Sequence, residues 1–119
     1  MGETNKIKME LWLTPQEKKE LFNYSETIIC YDEYKRGKIK KSNASLAVRL
    51  IMNFLLNGTI DLPKNEYPQK VIFREARRYR PIVDKDQRDK FLVFCADKGY
   101  APNQAILWVV RNKNINKYL

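Results

Sequence analysis

The feature that most constrains this chain is an order of secondary-structure signals that occurs twice. The alternating stretches "IKMELWLT" (7–14) and "RYRPIV" (78–83) each predict a strand, and each is followed by a capping residue, a helical pattern, a glycine and a second helix. Corresponding residues of the two occurrences are 70 positions apart at the strand, where Leu13 matches Val83. They are 60 positions apart at the start of the second helix, where Ser42 matches Pro102. We therefore predict an internal repeat with about ten extra residues in the first copy. The alternative is an unrepeated α/β mixture that yields the same order.

Local signals bound four predicted helices, over 15–36, 43–57, 85–98 and 102–114. Each begins at a residue that caps or opens a helix and ends at a glycine or Asn-Gly turn, except the last. The starting signals are Thr14 with Glu17, Ser42, Asp84 and Pro102, and the ending signals are Gly37, Asn57 with Gly58, and Gly99.

These signals predict an α+β fold that is mostly helical. We expect an internal pseudo-dimer of two strand-helix-turn-helix units around short central antiparallel strands. Residues 1–58 form the first unit and residues 70–119 the second, with a proline-containing linker over 59–69. The length of 119 residues suits one compact domain overall.

Charge favours a polyanionic partner, because the chain has 23 basic and 14 acidic residues and a net charge of +9. Histidine is absent, and Cys30 and Cys95 lie too far apart in sequence for a recognisable metal or redox motif. The seven tyrosines lack the acid-base partners that a strand-cleaving nucleophile needs. We therefore expect no enzymatic activity, no metal and no cofactor.

The N-terminal segment "MGETNKIKMEL" has no hydrophobic stretch typical of a signal peptide. The longest apolar stretch, residues 46–56, is too short to cross a bilayer and contains Arg49 and Asn53. We expect a cytoplasmic protein without membrane insertion.

The stretch "DQRDKFLVFCADKGYAPNQAILWVVRNKNINKYL" (86–119) resembles the ribbon-helix-helix superfamily of MetJ, Arc and CopG. There, a strand precedes two helices, a glycine links them, and a polar pair begins the second. The resemblance covers residues 78–113 and, with an insertion, residues 7–56. It implies a ribbon of two antiparallel strands inserted into the major groove. Tandem versions are similar to accessory proteins of conjugative plasmid transfer.

The same residues also resemble a helix-turn-helix, and "LWLTPQEKKEL" (11–21) is similar to the start of winged-helix excisionases. Both motifs need only a helix, a glycine turn and a helix. A plain αα corner that packs a core is therefore a third interpretation.

The two DNA-binding interpretations assign base contacts to different residues. Arginine can form a bidentate contact with guanine, whereas asparagine and glutamine can pair with adenine. Glu10 would repel phosphates, Trp12 is large for a groove, and Pro81 lacks a ladder donor, which all count against the ribbon. The outward strand residues of the ribbon are Lys8, Glu10, Trp12, Arg78, Arg80 and Ile82. The readers of the helix interpretation are Asn43, Ser45, Arg49, Asn103, Gln104, Leu107 and Arg111.

Both interpretations share the same phosphate contacts, which come from basic runs near the second helices and the second strand. The alternative for each run is a solvated loop. If about six phosphates are neutralised, the logarithm of affinity should fall with that of salt with a slope of about −5. The phosphate candidates are Lys35, Arg36, Lys38, Lys40, Lys41, Lys70, Arg74, Arg77 and Lys113.

Together these patterns predict a non-catalytic protein that binds double-stranded DNA. The resemblance implies a plasmid or mobile element, in which the protein is a transfer-origin accessory factor or a transcriptional regulator. Its further partners would be relaxosome or secretion-machinery proteins. One alternative is a protein-interaction module, such as a phage-encoded inhibitor or a secretion-machinery adaptor. Another is single-stranded nucleic-acid binding through aromatic and basic side chains.

Overall fold

The computed structural model describes residues 6–29, 44–65 and 75–118. In these ranges two pairs of short strands are each followed by two α-helices, which confirms the predicted α+β, mostly helical class. The helices are α1 (Pro15–Ile29), α2 (Ala44–Leu56), α3 (Lys85–Lys98) and α4 (Pro102–Asn112), and a 3₁₀ turn follows at Ile115–Tyr118. The strands are β1 (Lys6–Lys8), β2 (Leu11–Leu13), β3 (Arg77–Tyr79) and β4 (Ile82–Asp84).

The four strands form one two-stranded structure. β1 pairs with β4 and β2 with β3, both antiparallel and in one constant register. Between them the amide of Met9 donates to the carbonyl of Pro81 at 2.9 Å, so the pairing continues. We call residues 6–13 paired with 77–84 the ribbon. Because Pro81 has no N–H, the ladder loses one bond at its centre, and each predicted strand is divided into two short segments.

The ribbon has one buried and one exposed face, as the alternation predicts. Met9, Leu11 and Leu13 are at most 2% exposed, and Val83 lies opposite Ile7 with no exposure. The residues between them point away from the core. This outer face is formed by Lys6, Lys8, Glu10, Trp12, Arg78, Arg80, Ile82 and Asp84.

Several predicted helix boundaries show the capping bonds or the glycine conformation that the sequence signals predict. Thr14 and Glu17 form a capping box, in which the Glu17 amide donates to the Thr14 hydroxyl and the Thr14 amide donates to the Glu17 carboxylate. Gly99 ends α3 with a φ of 85°, and Gly58 adopts a φ of 82° after α2. Such left-handed backbone suits glycine because no Cβ is present to clash. Asp84 precedes α3 as predicted, but its side chain makes no capping hydrogen bond.

α2 and α4 supply matching layers of the core. Three residues of α2 and three of α4 are fully buried at equivalent positions, 58 residues apart in sequence. They are Ala47, Val48 and Ile51 of α2 and Ala105, Ile106 and Val109 of α4. The predicted offset of 60 matches Ser42 with Pro102, and Ser42 lies outside the described residues.

α1 and α3 cover this core, and both units contribute to one continuous cluster of buried residues. Ile60 and Leu62, from the first part of the predicted linker, are also buried in the cluster. The end of the first predicted helix at Gly37 lies outside the described residues, as do positions 66–69 of the linker. The arrangement as an internal pseudo-dimer stays a prediction.

Candidate nucleic-acid interface

The outer face of the ribbon gathers most of the base-reading candidates of the ribbon interpretation. Lys8, Arg78 and Arg80 are exposed there, and Trp12 and Ile82 are 36% and 43% exposed. Trp12 lies opposite Arg78, and Lys8 lies opposite Ile82. The strand period of two places these side chains on one surface.

Glu10 joins the two arginines at the centre of this face. The Nη1 of Arg78 and the Nη2 of Arg80 donate to the same Oε1 of Glu10, at 3.2 and 3.4 Å. The guanidinium of Arg78 also lies 6.0 Å from the ring centroid of Trp12. All three charged side chains are about half exposed. Ion pairs of this kind are worth at most about 1 kcal/mol, so acceptor groups of a ligand can replace them.

The first turns of α2 hold one edge of the ribbon. The amide of Ile82 donates to the hydroxyl of Ser45 at 3.1 Å, and the Nη1 of Arg49 donates to the Ile82 carbonyl at 2.6 Å. Burial raises the pKa of Tyr79, and a hydrogen bond with Ser45 partly offsets that rise. Ser45 and Arg49 therefore attach α2 to the second strand.

The first turn of α4 holds the other edge. The Nδ2 of Asn103 donates to the Trp12 carbonyl at 3.0 Å, and Asn103 is only 8% exposed. The Oε1 of Gln104 accepts from the Ala101 amide at 2.9 Å and so caps its own helix. Leu107 is 3% exposed and belongs to the core. These side chains are thus engaged within the protein.

The C-terminal part of α4 is tied to α1. Arg111 donates from Nε and Nη2 to the two carboxylate oxygens of Glu20, at 3.1 and 2.8 Å. The hydrogen bond with Arg111 lowers the pKa of Glu20, and the same bond raises the pKa of Arg111. The hydroxyl of Tyr24 donates to the carbonyl of Lys113 at 2.7 Å. Burial raises the pKa of Tyr24 to about 12.

Two of the predicted phosphate contacts are described by the structure. Arg77 is exposed at the end of β3, and its Nη1 donates to the neighbouring carbonyl of Ala76 at 3.3 Å. The Nζ of Lys113 lies 5.8 Å from the ring centroid of Trp108. The base candidate Asn43 and seven phosphate candidates lie outside the described residues: Lys35, Arg36, Lys38, Lys40, Lys41, Lys70 and Arg74.

The structure adds Lys6, which is exposed on the outer face and lies opposite Asp84. The sequence alternation could have indicated it, because Lys6 is two positions before Lys8. The predicted strand began at Ile7 and therefore did not include Lys6. The role of Glu10 as the partner of both arginines had no such signal, because it depends on the pairing register.

Comparison of the chain with known protein families, curated proteins and solved structures finds no significant match. None of the described helices is long and apolar enough to span a membrane. Within the described ranges, no three acidic, cysteine or histidine side chains are grouped as a metal site would require.

Proposed function

We propose that this protein binds double-stranded DNA without catalysing a reaction, by inserting the outer face of the ribbon into the major groove. The observation that carries the proposal is the cluster of Lys8, Arg78 and Arg80 on one exposed face of two paired strands. The major groove admits a two-stranded ribbon, and arginine can form a bidentate contact with guanine.

The bonding of the second helices favours the ribbon over them as the reading element. Asn103 and Ser45 bond to the ribbon, Gln104 caps its helix, and Arg111 pairs with Glu20. A helix that read bases with these groups would first break contacts within the fold. The exposed ribbon face needs only weak surface ion pairs to be exchanged.

The arrangement of α2 and α4 supports a pseudo-dimeric mode of binding. The first turn of α2 lies against the second strand and that of α4 against the first, at opposite edges of the ribbon. N-terminal ends of helices favour phosphate through their free N–H groups. We propose that they face the two DNA backbones beside the groove, and that the target site is an imperfect palindrome.

The biological process rests on the resemblance stated above. We propose that a plasmid or mobile element uses the protein as a transfer-origin accessory factor or a transcriptional regulator. Relaxosome or secretion-machinery proteins are the partners that this role implies. Footprinting on the DNA beside its own gene would test both roles, since each predicts a site there.

Fluorescence anisotropy with duplex DNA at rising salt tests the binding itself. The doubly substituted Arg78→Ala/Arg80→Ala protein should lose most affinity, because two groove-facing cations are removed. The Lys64→Ala/Lys90→Ala protein loses the same charge from exposed sites away from the outer face and should bind nearly as the wild type does. Equal losses in both would exclude ribbon readout.

Absence of wild-type binding to any duplex at low salt would refute the proposal. The protein-interaction module would then be favoured, with the basic surface facing an acidic partner.

A further inference from the structure

Glu10 is an acidic side chain that joins the two arginines of the outer face. The constant register places Glu10 opposite Arg80, in the pair next to Met9 and Pro81 at the ribbon centre. Its Oε1 accepts from Arg80 and from Arg78, which lies two residues before Arg80 on the same face. The carboxylate thus orients both guanidinium groups at the point deepest in the proposed groove contact.

A carboxylate at this position is unfavourable beside most groove surfaces. DNA presents phosphates along both edges of the groove, and guanine, adenine and thymine all offer acceptor atoms there. Two amino groups donate there, N4 of cytosine and N6 of adenine, but adenine N6 stands beside the acceptor N7, so aspartate and glutamate pair with cytosine N4. The partner of cytosine is guanine, whose O6 and N7 accept the two donors of an arginine.

From this geometry we propose that Glu10 is a specificity-determining residue, which makes the ribbon select duplexes with G·C base pairs at the centre of the site. This inference rests on the proposed function. Glu10 would accept from cytosine N4 while Arg78 and Arg80 contact guanine. At a centre of A·T pairs the amino group of adenine N6 is flanked by the acceptors adenine N7 and thymine O4, which repel the carboxylate and weaken binding there.

The test compares duplexes that differ only in whether the central base pairs are G·C or A·T. The wild type should prefer the G·C duplex by about 5- to 150-fold, the range that a good bidentate contact provides. Glu10→Gln should bind the A·T duplex about fivefold more tightly, the factor that one unit charge at about 4 Å in water gives. It should also lose most of the preference.

Glu26→Gln is the matched control, because it removes the same charge from an exposed site on α1. Glu26 lies about 16 Å along the helix from Pro15, which is beyond the Debye length of about 8 Å at physiological salt. It should change affinity less than about twofold and leave the G·C preference intact.

Arg80→Lys keeps the charge but loses the planar fork, so it should lose the preference at similar overall affinity. Circular dichroism of each variant confirms that it is folded before binding is measured. If Glu10→Gln and Arg80→Lys both retain the wild-type preference, or if the wild type binds both duplexes equally, the inference is overturned while DNA binding stands. If the wild type binds neither duplex at low salt, the proposed function fails as well.

Discussion

The two second helices dock on the ribbon at matching positions but with opposite chemistry. Ser45 and Asn103 are each the second residue of their helix, α2 and α4, and lie 58 residues apart. The residues to which they bond, Ile82 and Trp12, lie 70 residues apart. Ser45 accepts from a backbone amide, whereas Asn103 donates to a backbone carbonyl. The edge of a strand presents both kinds of group, so either solution satisfies it. Matching geometry therefore does not require matching residues, so the low identity between the two halves is compatible with the predicted repeat.

Substitutions in the core test whether the two units fold as one. Leu21 and Phe91 occupy matching positions of α1 and α3, and neither has any exposure. We expect Phe91→Ala to lower the free energy of unfolding by about 3–5 kcal/mol and Leu21→Ala by about 2–5 kcal/mol. Urea denaturation should show a single transition for each, because the buried cluster is shared. A variant that unfolds in two separate steps would show that the units are independent.

The two docking bonds should differ in strength. Asn103→Ala leaves a part-buried carbonyl without its donor and should cost about 1–3 kcal/mol of unfolding free energy. Ser45 also bonds with Tyr79, so Ser45→Ala is compared in a Tyr79→Phe background; there it removes one bond at an exposed site and should cost about 0.5–1.5 kcal/mol. Chemical denaturation measures both. A larger cost for Ser45→Ala would reverse the comparison.

The caps of α1 and α3 provide a third contrast. Thr14→Ala removes the capping box and should destabilise the protein by about 1–2 kcal/mol. Asp84 makes no capping bond, so Asp84→Ala loses only the attraction of a carboxylate for a helix N-terminus, about 0.5 kcal/mol or less. Thermal melting of the two variants measures both effects. Equal shifts in Tm would contradict the expected difference between the two caps.

A small effect is also expected at the α1–α4 ion pair. Because the pKa of Glu20 is lowered below its ordinary value of 4.5, its contribution is present above that pH and is lost as the pH falls through the folded-state pKa. Glu20→Gln should cost less than about 1 kcal/mol at pH 7, since the pair is partly exposed. Its deficit relative to the wild type should shrink between pH 5 and pH 3. A deficit that is constant over this range would exclude the ionic contribution.

Much of the fold follows from local sequence signals. The alternation of Met9, Leu11 and Leu13 predicts the buried face, and Thr14 with Glu17 predicts the start of α1. Such signals depend on residues only a few positions apart, so the sequence alone is enough to predict them. The offset of 60 that the caps predict between the second helices stays a prediction, because Ser42 lies outside the described residues.

The site was less predictable because it depends on contacts between distant residues. A polar residue in the first turn of a helix, such as Asn103, looks the same in sequence whether it faces DNA or the ribbon. Its bond to Trp12 spans 91 residues. Likewise, nothing near Glu10 in the sequence indicates Arg78 and Arg80. Ile60 and Leu62 lie among turn-forming residues, so their burial could be learned only from the packing.

The pairing of two different residues at the middle of the ribbon has an evolutionary corollary. When two identical chains build such a ribbon, the residue at the midpoint must face its own copy, and an acid there would oppose an acid. A single chain that supplies both strands is free of this restriction, so Glu10 can face Arg80. Mutation can then alter one side of the outer face while leaving the other unchanged, which two identical paired chains do not allow.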